Sequence, residues 1–218
     1  RHDRAIEPLL SIWDSHHLRV SSRVVRSKEG ANLMEEGLGW RVHSPTEAEV
    51  ECSVESGLHP ELSMDSLPIT CLLPLSFPVN RRDPRVSGPL WVGSLGDQGA
   101  MHSMTEQKAV RMCVAEYEDG DIAGWSKRDF EMEKRRVLRS VRNIESEGSV
   151  IDAAHHILVD DLSSWLGGGS PPSPTLMVEE LRKLGYRASL AHYGTPSFKT
   201  DASWDDIVEV SLGHQPPM

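Results

Sequence analysis

The sequence predicts an α/β chain that ends in a small α+β unit of winged-helix type. Three observations carry this. Apolar alternation and helical spacing succeed one another along the chain, so strands and helices are interleaved. From Lys127 onward the pattern runs helix, short strand, helix, turn, helix and two strands, which is the order of a winged helix-turn-helix. The 218 residues are 38% hydrophobic and 26% charged, ordinary values for a soluble globular protein with one good core or two small ones.

The first stretch, Arg1 to Leu10, reads as the end of a helix. In "HHLRVSSRVV" (His16–Val25), Leu18, Val20, Ser22 and Val24 alternate with Arg19, Ser21 and Arg23, the pattern of a strand with one buried face. "EGANLMEEGLGWRVHS" reads as a short helix stopped at Gly37, then a strand through Trp40 and Val42. Residues 45–87 are rich in Pro, Ser and Glu and read as an irregular insertion. "GPLWVGSLGD" (Gly88–Asp97) is an apolar strand between glycines, with Leu90, Trp91, Val92 and Leu95 as core candidates. Met101, Met104, Ala109 and Met112 have helical spacing.

A longer helix starts near Ser126, a suitable N-cap with Asp129 three residues on. Phe130, Val137, Val141 and Ile144 form its apolar stripe. "HHILVDDLSSWLGGG" offers a strand (His156–Val159) and a helix (Asp160–Leu166) ended by glycines. Ser173 caps the next helix, with Pro174 at its first position, where a missing N–H costs nothing. Met177, Leu181 and Leu184 line one face of it and Gly185 stops it. "YRASLAHY" alternates as a strand, and "SFKTD" returns beside it.

Composition also excludes. No apolar run approaches the length of a membrane span, and the N-terminus has no uninterrupted apolar core of the kind a signal peptide needs. Cys52, Cys71 and Cys113 are odd in number and widely spaced, which points to a reducing compartment rather than a disulfide framework. There is no P-loop, no G-x-G-x-x-G, no G-x-S-x-G and no H-E-x-x-H. His16-His17 and His155-His156 are adjacent pairs, and neighbours in an element point apart, so a shared metal is not expected. Cys52 and Cys71 each lack a second Cys three residues away, so zinc is not expected either.

A net charge of -10 disfavours nucleic acid as a partner, unless basic faces are local. Two such faces exist. Arg135, Arg139 and Arg142 recur along the helix after Ser126; they are either a solvated stripe paired with Glu131, Glu133 and Glu145, or phosphate contacts. Arg182, Lys183, Arg187 and Lys199 fall on the last helix end and the following hairpin, with His192 on the hairpin strand. Lys183 suits a helix C-terminus on dipole grounds alone, but the clustering in a winged-helix order points to RNA contact.

Three segments resemble one family, the tRNA guanine-N2 dimethyltransferases that act on position 26 of tRNA. "RHDRAIEPLLSIWDSHHLRVSSRV" resembles the segment after that family's active-site loop, through Pro8-Leu9-Leu10-Ser11 and His17-Leu18-Arg19-Val20. "SGPLWVGSLGD" resembles its Gly-Pro-Leu-Trp-x-Gly signature at Gly88, Pro89, Leu90, Trp91 and Gly93. The C-terminal signature is matched by Gly185-Tyr186-Arg187-Ala188-Ser189, His192 and Lys199-Thr200-Asp201-Ala202. The chain departs from the family at Ser203, where Pro is usual. It departs again in having only Cys52 and Cys71 where many members carry two Cys-x-x-Cys pairs.

The resemblance implies a cytoplasmic transferase that mono- and dimethylates the exocyclic amine of guanine 26 in tRNA, with S-adenosylmethionine as donor. The family's donor-binding loop and Asp-Pro-Phe-Gly catalytic motif are missing from this sequence. By analogy, residues 1–98 are the C-terminal part of a class I, Rossmann-like methyltransferase domain. Residues 99–218 are then a tRNA-binding domain with its winged-helix-like unit at about 127–202. On this reading the chain is a fragment of a longer protein, inactive alone, with the cofactor bound by the missing N-terminal part. It supplies sheet closure and tRNA binding, and no catalytic residue is named. The alternative is a non-enzymatic winged-helix module that binds DNA or protein.

Overall fold

The computed structural model describes residues 3–14, 16–65, 70–111, 126–153, 155–167, 172–193 and 195–214. Their strands form three small antiparallel sheets with helices packed around them.

The first sheet is a hairpin of β1 (Arg4–Asp14) and β2 (His17–Arg26). The helix expected before Leu10 is therefore a strand. Pro8 lacks an N–H to donate, and it sits at a register shift between Pro8 and Leu10, where a ladder tolerates it. The buried face expected on β2 is also absent. Leu18, Val20 and Val24 are exposed, opposite Trp13, Ser11 and Ile6 of β1. Alternation marks two faces of a strand; only a second layer buries one of them. The hairpin instead buries Ala5 and Leu10 of β1.

Ser27 caps α1 (Lys28–Leu33), and β3 (Leu38–His43) follows. The region 45–87 is not an irregular insertion. It contains α2 (Glu47–Glu55), started by a Thr46/Glu49 capping box, and β4 (Thr70–Pro74), which pairs with β3. With β5 (Val86–Trp91) these strands form a sheet of order β4-β3-β5. The Ser- and Pro-rich flanks hide a strand only five residues long. Trp40, Val42, Cys71 and Leu73 form the core over this sheet. Gly39 is required there, since a Cβ would meet the Leu73 carbonyl at 2.2 Å. Of the core candidates near β5, Val92 is buried, Leu90 and Trp91 are half-buried, and Leu95 is exposed.

The expected helix through Met101 and Met104 is broken into α3 (Gln98–His102) and α4 (Glu106–Ala109), capped by Asp97 and Thr105. Its continuation through Met112 lies outside the described residues. The long α5 (Lys127–Glu147) begins with the Ser126/Asp129 capping box. Then come β6 (His155–Leu158), α6 (Val159–Trp165), α7 (Pro174–Lys183), β7 (Ala188–Leu190) and β8 (Ser197–Thr200). Gly185 follows α7 with φ of 96°, a left-handed stop that favours glycine. The strands pair in the order β6-β8-β7. A further helix, α8 (Trp204–Gly213), capped by Ser203, is not foreseen from the sequence.

Two cores hold the second half. Ile157, Leu162, Met177, Leu181, Phe198, Trp204 and Ile207 fill the space between the third sheet and α6, α7 and α8. Leu10, Met101 and Ile144 join the hairpin, α3 and α5, with Ile12, Met104 and Ile151 packed around them. This smaller cluster fixes the hairpin tip beside α5.

Candidate nucleic-acid interface

The basic character of the chain is concentrated on α5. From Lys134 to Arg142 it carries Lys134, Arg135, Arg136, Arg139 and Arg142 with no acidic residue between. Helical geometry puts Arg135, Arg139 and Arg142 on one flank, three and four residues apart. All four arginines are exposed. Arg136 is held by Glu133, with Nε donating to Oε2 at 2.8 Å and Nη2 to Oε1 at 2.7 Å. Arg142 pairs with Glu106 of α4. They line a shallow cleft with Asp129, Met132 and Glu133.

A second cleft, of about 590 Å³, opens on the other side of Arg139. Arg136, Arg139, Ser140 and Asn143 form one wall, and Trp13 and Tyr193 stand at one end. Thr195, Pro196 and Ser197, leading into β8, complete the lining with Pro174, Leu190, Ala191 and His192. Trp13 is 53% exposed, and its ring meets that of Tyr193 edge-on with centroids 5.7 Å apart. The Asn143 amide donates to the Ala191 carbonyl at 3.3 Å, tying α5 to the end of β7.

Beneath this cleft is a buried charged cluster. Glu147, at the last turn of α5, is 1% exposed. Its Oε2 accepts from the His192 backbone N–H at 3.1 Å and lies 2.7 Å from His192 Nδ1. Its Oε1 lies 2.7 Å from the Lys199 ammonium. His192 Nε2 accepts the Trp13 backbone N–H at 3.1 Å, so Nδ1 carries the proton and donates to Glu147. Burial pushes the Glu147 carboxyl up, but the His192 hydrogen bond and the Lys199 ammonium outweigh it and hold the group down at about 2. His156, paired with Lys199 in the β6–β8 ladder, is pushed down to about 4 by burial and then by the Lys199 charge.

This geometry corrects part of the expected RNA face. Lys199 and His192 are 6% and 9% exposed and are committed to Glu147, so neither presents its head group to a ligand. A buried ammonium is tolerable only beside a carboxylate, and Glu147 supplies it from a helix far away in sequence. Arg187 is exposed but engaged: Nε donates to Asp201 at 2.6 Å and Nη1 to Asp152 at 2.9 Å. Arg182 donates from Nε to the Ala188 carbonyl at 2.8 Å and from Nη2 to Ser146 Oγ at 3.3 Å. Lys183 pairs with Glu180 one turn back, at 2.7 Å. The C-terminal candidates thus knit α7, β7 and β8 together. Arg135, Arg139 and Arg142 stand together on α5. Arg136 and Trp13 line the candidate face as well; the sequence signal for Arg136 is its place in the acid-free run 134–142, but nothing local places Trp13 beside α5.

The two described cysteines lie side by side in the β3–β4 core. Burial pushes the Cys71 thiol up to about 12 and raises that of Cys52. Two thiols do not fill zinc's four-ligand shell, and among the described residues no group of three or more Cys, His, Asp or Glu is placed to hold a metal. Cys113 lies outside the described residues.

The fold is an α/β arrangement already seen in a solved structure. Over 95% of its length the chain superimposes on Trm1 from Pyrococcus horikoshii, solved with S-adenosyl-L-methionine, with a TM-score of 0.63 and 17% identity; it covers 44% of that chain. In sequence, residues 1–211 match the profile of the N2,N2-dimethylguanosine tRNA methyltransferases. The chain is 26% identical to tRNA (guanine(26)-N(2))-dimethyltransferase of Methanosphaerula palustris, covering 95% of itself and 46% of that protein. For the Aeropyrum pernix enzyme of the same name the values are 26%, 97% and 44%. The chain belongs to the N2,N2-dimethylguanosine tRNA methyltransferase family. It spans less than half the length of these relatives.

Proposed function

We propose that this chain is the tRNA-holding part of an S-adenosylmethionine-dependent methyltransferase that mono- and dimethylates the exocyclic amine of guanine 26. The profile match over residues 1–211 carries this reading. The α5 arginines are assigned to the tRNA backbone, because phosphate binding needs exposed guanidinium and α5 concentrates it on an otherwise acidic chain. The unit from α5 to β8 is read as a winged helix, supported by its order of elements and by the β6-β8-β7 strand order. Its third helix, α7, exposes Glu179 beside Lys183, so the first helix, α5, is assigned the RNA contact rather than the third.

The donor is assigned to residues outside these 218. The sequence has no glycine-rich loop after a strand and no Asp-Pro-Phe-Gly motif. The cleft beside Arg139 does not fit the donor: none of the described residues lining it is a carboxylate that could take ribose hydroxyls, and the Arg139 guanidinium borders it where a ligand's sulfonium would itself be cationic. The same lining suits an anion. An exocyclic guanine amine is a poor nucleophile, and the base must leave its stack to be methylated. Holding the tRNA in register is the contribution available to this chain.

The test pairs two binding measurements on the chain. It is expected to bind transcribed tRNA with strong salt dependence, in preference to duplex DNA of equal length, and to give no calorimetric signal with S-adenosylmethionine. Failure to bind tRNA, or preference for the DNA, removes the tRNA-holding assignment. Stoichiometric uptake of the donor removes its placement outside the chain.

A further inference from the structure

We infer that the cleft between α5, Trp13 near the tip of the β1–β2 hairpin and the residues leading into β8 seats a single unstacked nucleotide of an RNA strand, with its phosphate on Arg139 and its base against the Trp13 ring. The inference deepens the tRNA reading and rests on it. It assigns a base-contacting residue to the stretch between the expected helix end at Leu10 and the expected strand from His16, where the sequence showed no element.

Four observations converge. The cleft, at about 590 Å³, is large enough for one nucleotide and too small for a duplex. Its α5 wall carries the exposed Arg139 guanidinium, with Arg136 beside it held by Glu133, and none of the described residues lining it is a carboxylate. Arg139 borders this cleft and the neighbouring arginine-lined one, so it stands where a phosphate chain would pass from one to the other. Trp13 is 53% exposed, so its indole face is open to a base.

Trp13 is also held from behind. Its backbone N–H donates to His192, which is fixed by Glu147, and Tyr193 packs edge-on against its ring. Such support leaves a pre-positioned stacking surface rather than a loose side chain. Both ring nitrogens of His192 are already committed, so His192 does not read the base. Ser140 and the Asn143 side-chain oxygen, next along the α5 wall, are polar groups within the lining that a base edge could meet. A guanidinium row beside one rigid aromatic is the pairing that single-stranded RNA sites use, because every base has a π-face and every linkage a charge.

The experiment is fluorescence anisotropy of the intact 218-residue chain with two labelled probes of equal length: an oligouridylate and its fully abasic ribose-phosphate counterpart. Trp13→Ala and Trp13→Leu are expected to weaken oligouridylate binding by about tenfold, Trp13→Phe by much less, and none of them to change the abasic probe. Arg139→Ala is expected to weaken both probes and to lower the salt slope by about one. Circular dichroism checks that each variant is folded, and Trp13→Leu keeps the apolar bulk if Trp13→Ala loosens the hairpin. Equal losses on both probes from Trp13→Leu, or no loss on either, overturn the base contact. An unchanged salt slope in Arg139→Ala overturns the phosphate contact. If the wild-type chain binds tRNA but neither variant matters, the seat fails and the tRNA reading stands; if it binds no RNA, the tRNA reading itself has failed.

Discussion

Glu147 receives a hydrogen bond from His192 on one oxygen and the Lys199 ammonium on the other, all within the protein interior. Removing the carboxylate leaves a buried cation unpaired, so Glu147→Gln is expected to cost about 3–5 kcal/mol in urea unfolding. The double replacement Glu147→Leu/Lys199→Met, which removes both charges, is expected to cost less than the single one. The pH dependence has a definite sign. Glu147 titrates near 2 in the folded chain against 4.5 ordinarily, so its stabilisation is complete above about pH 4.5 and is lost as pH falls toward 2. His156 is depressed from 6.5 to about 4, so folding excludes its proton, and stability declines as pH falls from about 6.5 toward 4. Thermal melts from pH 7 to 3 should show both stages, and His156→Gln should flatten the upper one. Cys71, fully buried and with its thiol pushed to about 12, should not react with a thiol reagent until the chain unfolds. Lys199 was visible in the sequence as a signature residue, but its role was not. Its partner lies on a helix 52 residues earlier (199 − 147), and no local pattern carries that information.

At the scale of elements, the local chemistry of caps was legible and proved decisive. Ser126 with Asp129, Ser173 with Pro174, and Gly185 start and stop α5 and α7 where the sequence indicated. Ser126→Ala should therefore cost about 1 kcal/mol. Elements whose identity depends on pairing were not legible. β1 shows no strand alternation around Pro8 and becomes a strand because β2 pairs with it; β4 is five residues in a Pro- and Ser-rich stretch, defined by β3. The central sheet admits a sharp test. Gly39→Ala directs a methyl at the Leu73 carbonyl, backbone that cannot swing aside, and should cost about 1–3 kcal/mol in denaturant melts. A neutral result would mean that β3 and β4 separate more readily than their ladder suggests.

For the whole molecule, a net charge of -10 and a cationic helix coexist because the opposite charges are segregated. Mean composition could not show this; the spacing of arginines on α5 could, and the second wall of the cleft required the fold. No helix among the described residues is long and apolar enough to cross a membrane. The row Ile6, Val24, Val20 and Leu18 on the hairpin is an exposed apolar face among the described residues. Sedimentation velocity should reveal concentration-dependent self-association of the chain, and Leu18→Lys with Val20→Lys should suppress it; a strictly monomeric wild type would remove this expectation. The buried Glu147 cluster has a consequence of another kind. It clamps α5, the hairpin tip and the last strand with one carboxylate, so inherited changes at Lys199, His192 or Glu147 would act through the amount of protein that survives quality control in the cell. Changes at Arg139 would leave that amount untouched. On the proposed function, a genetic survey scoring both protein level and modified tRNA would therefore separate the residues of this cluster from those proposed to contact RNA.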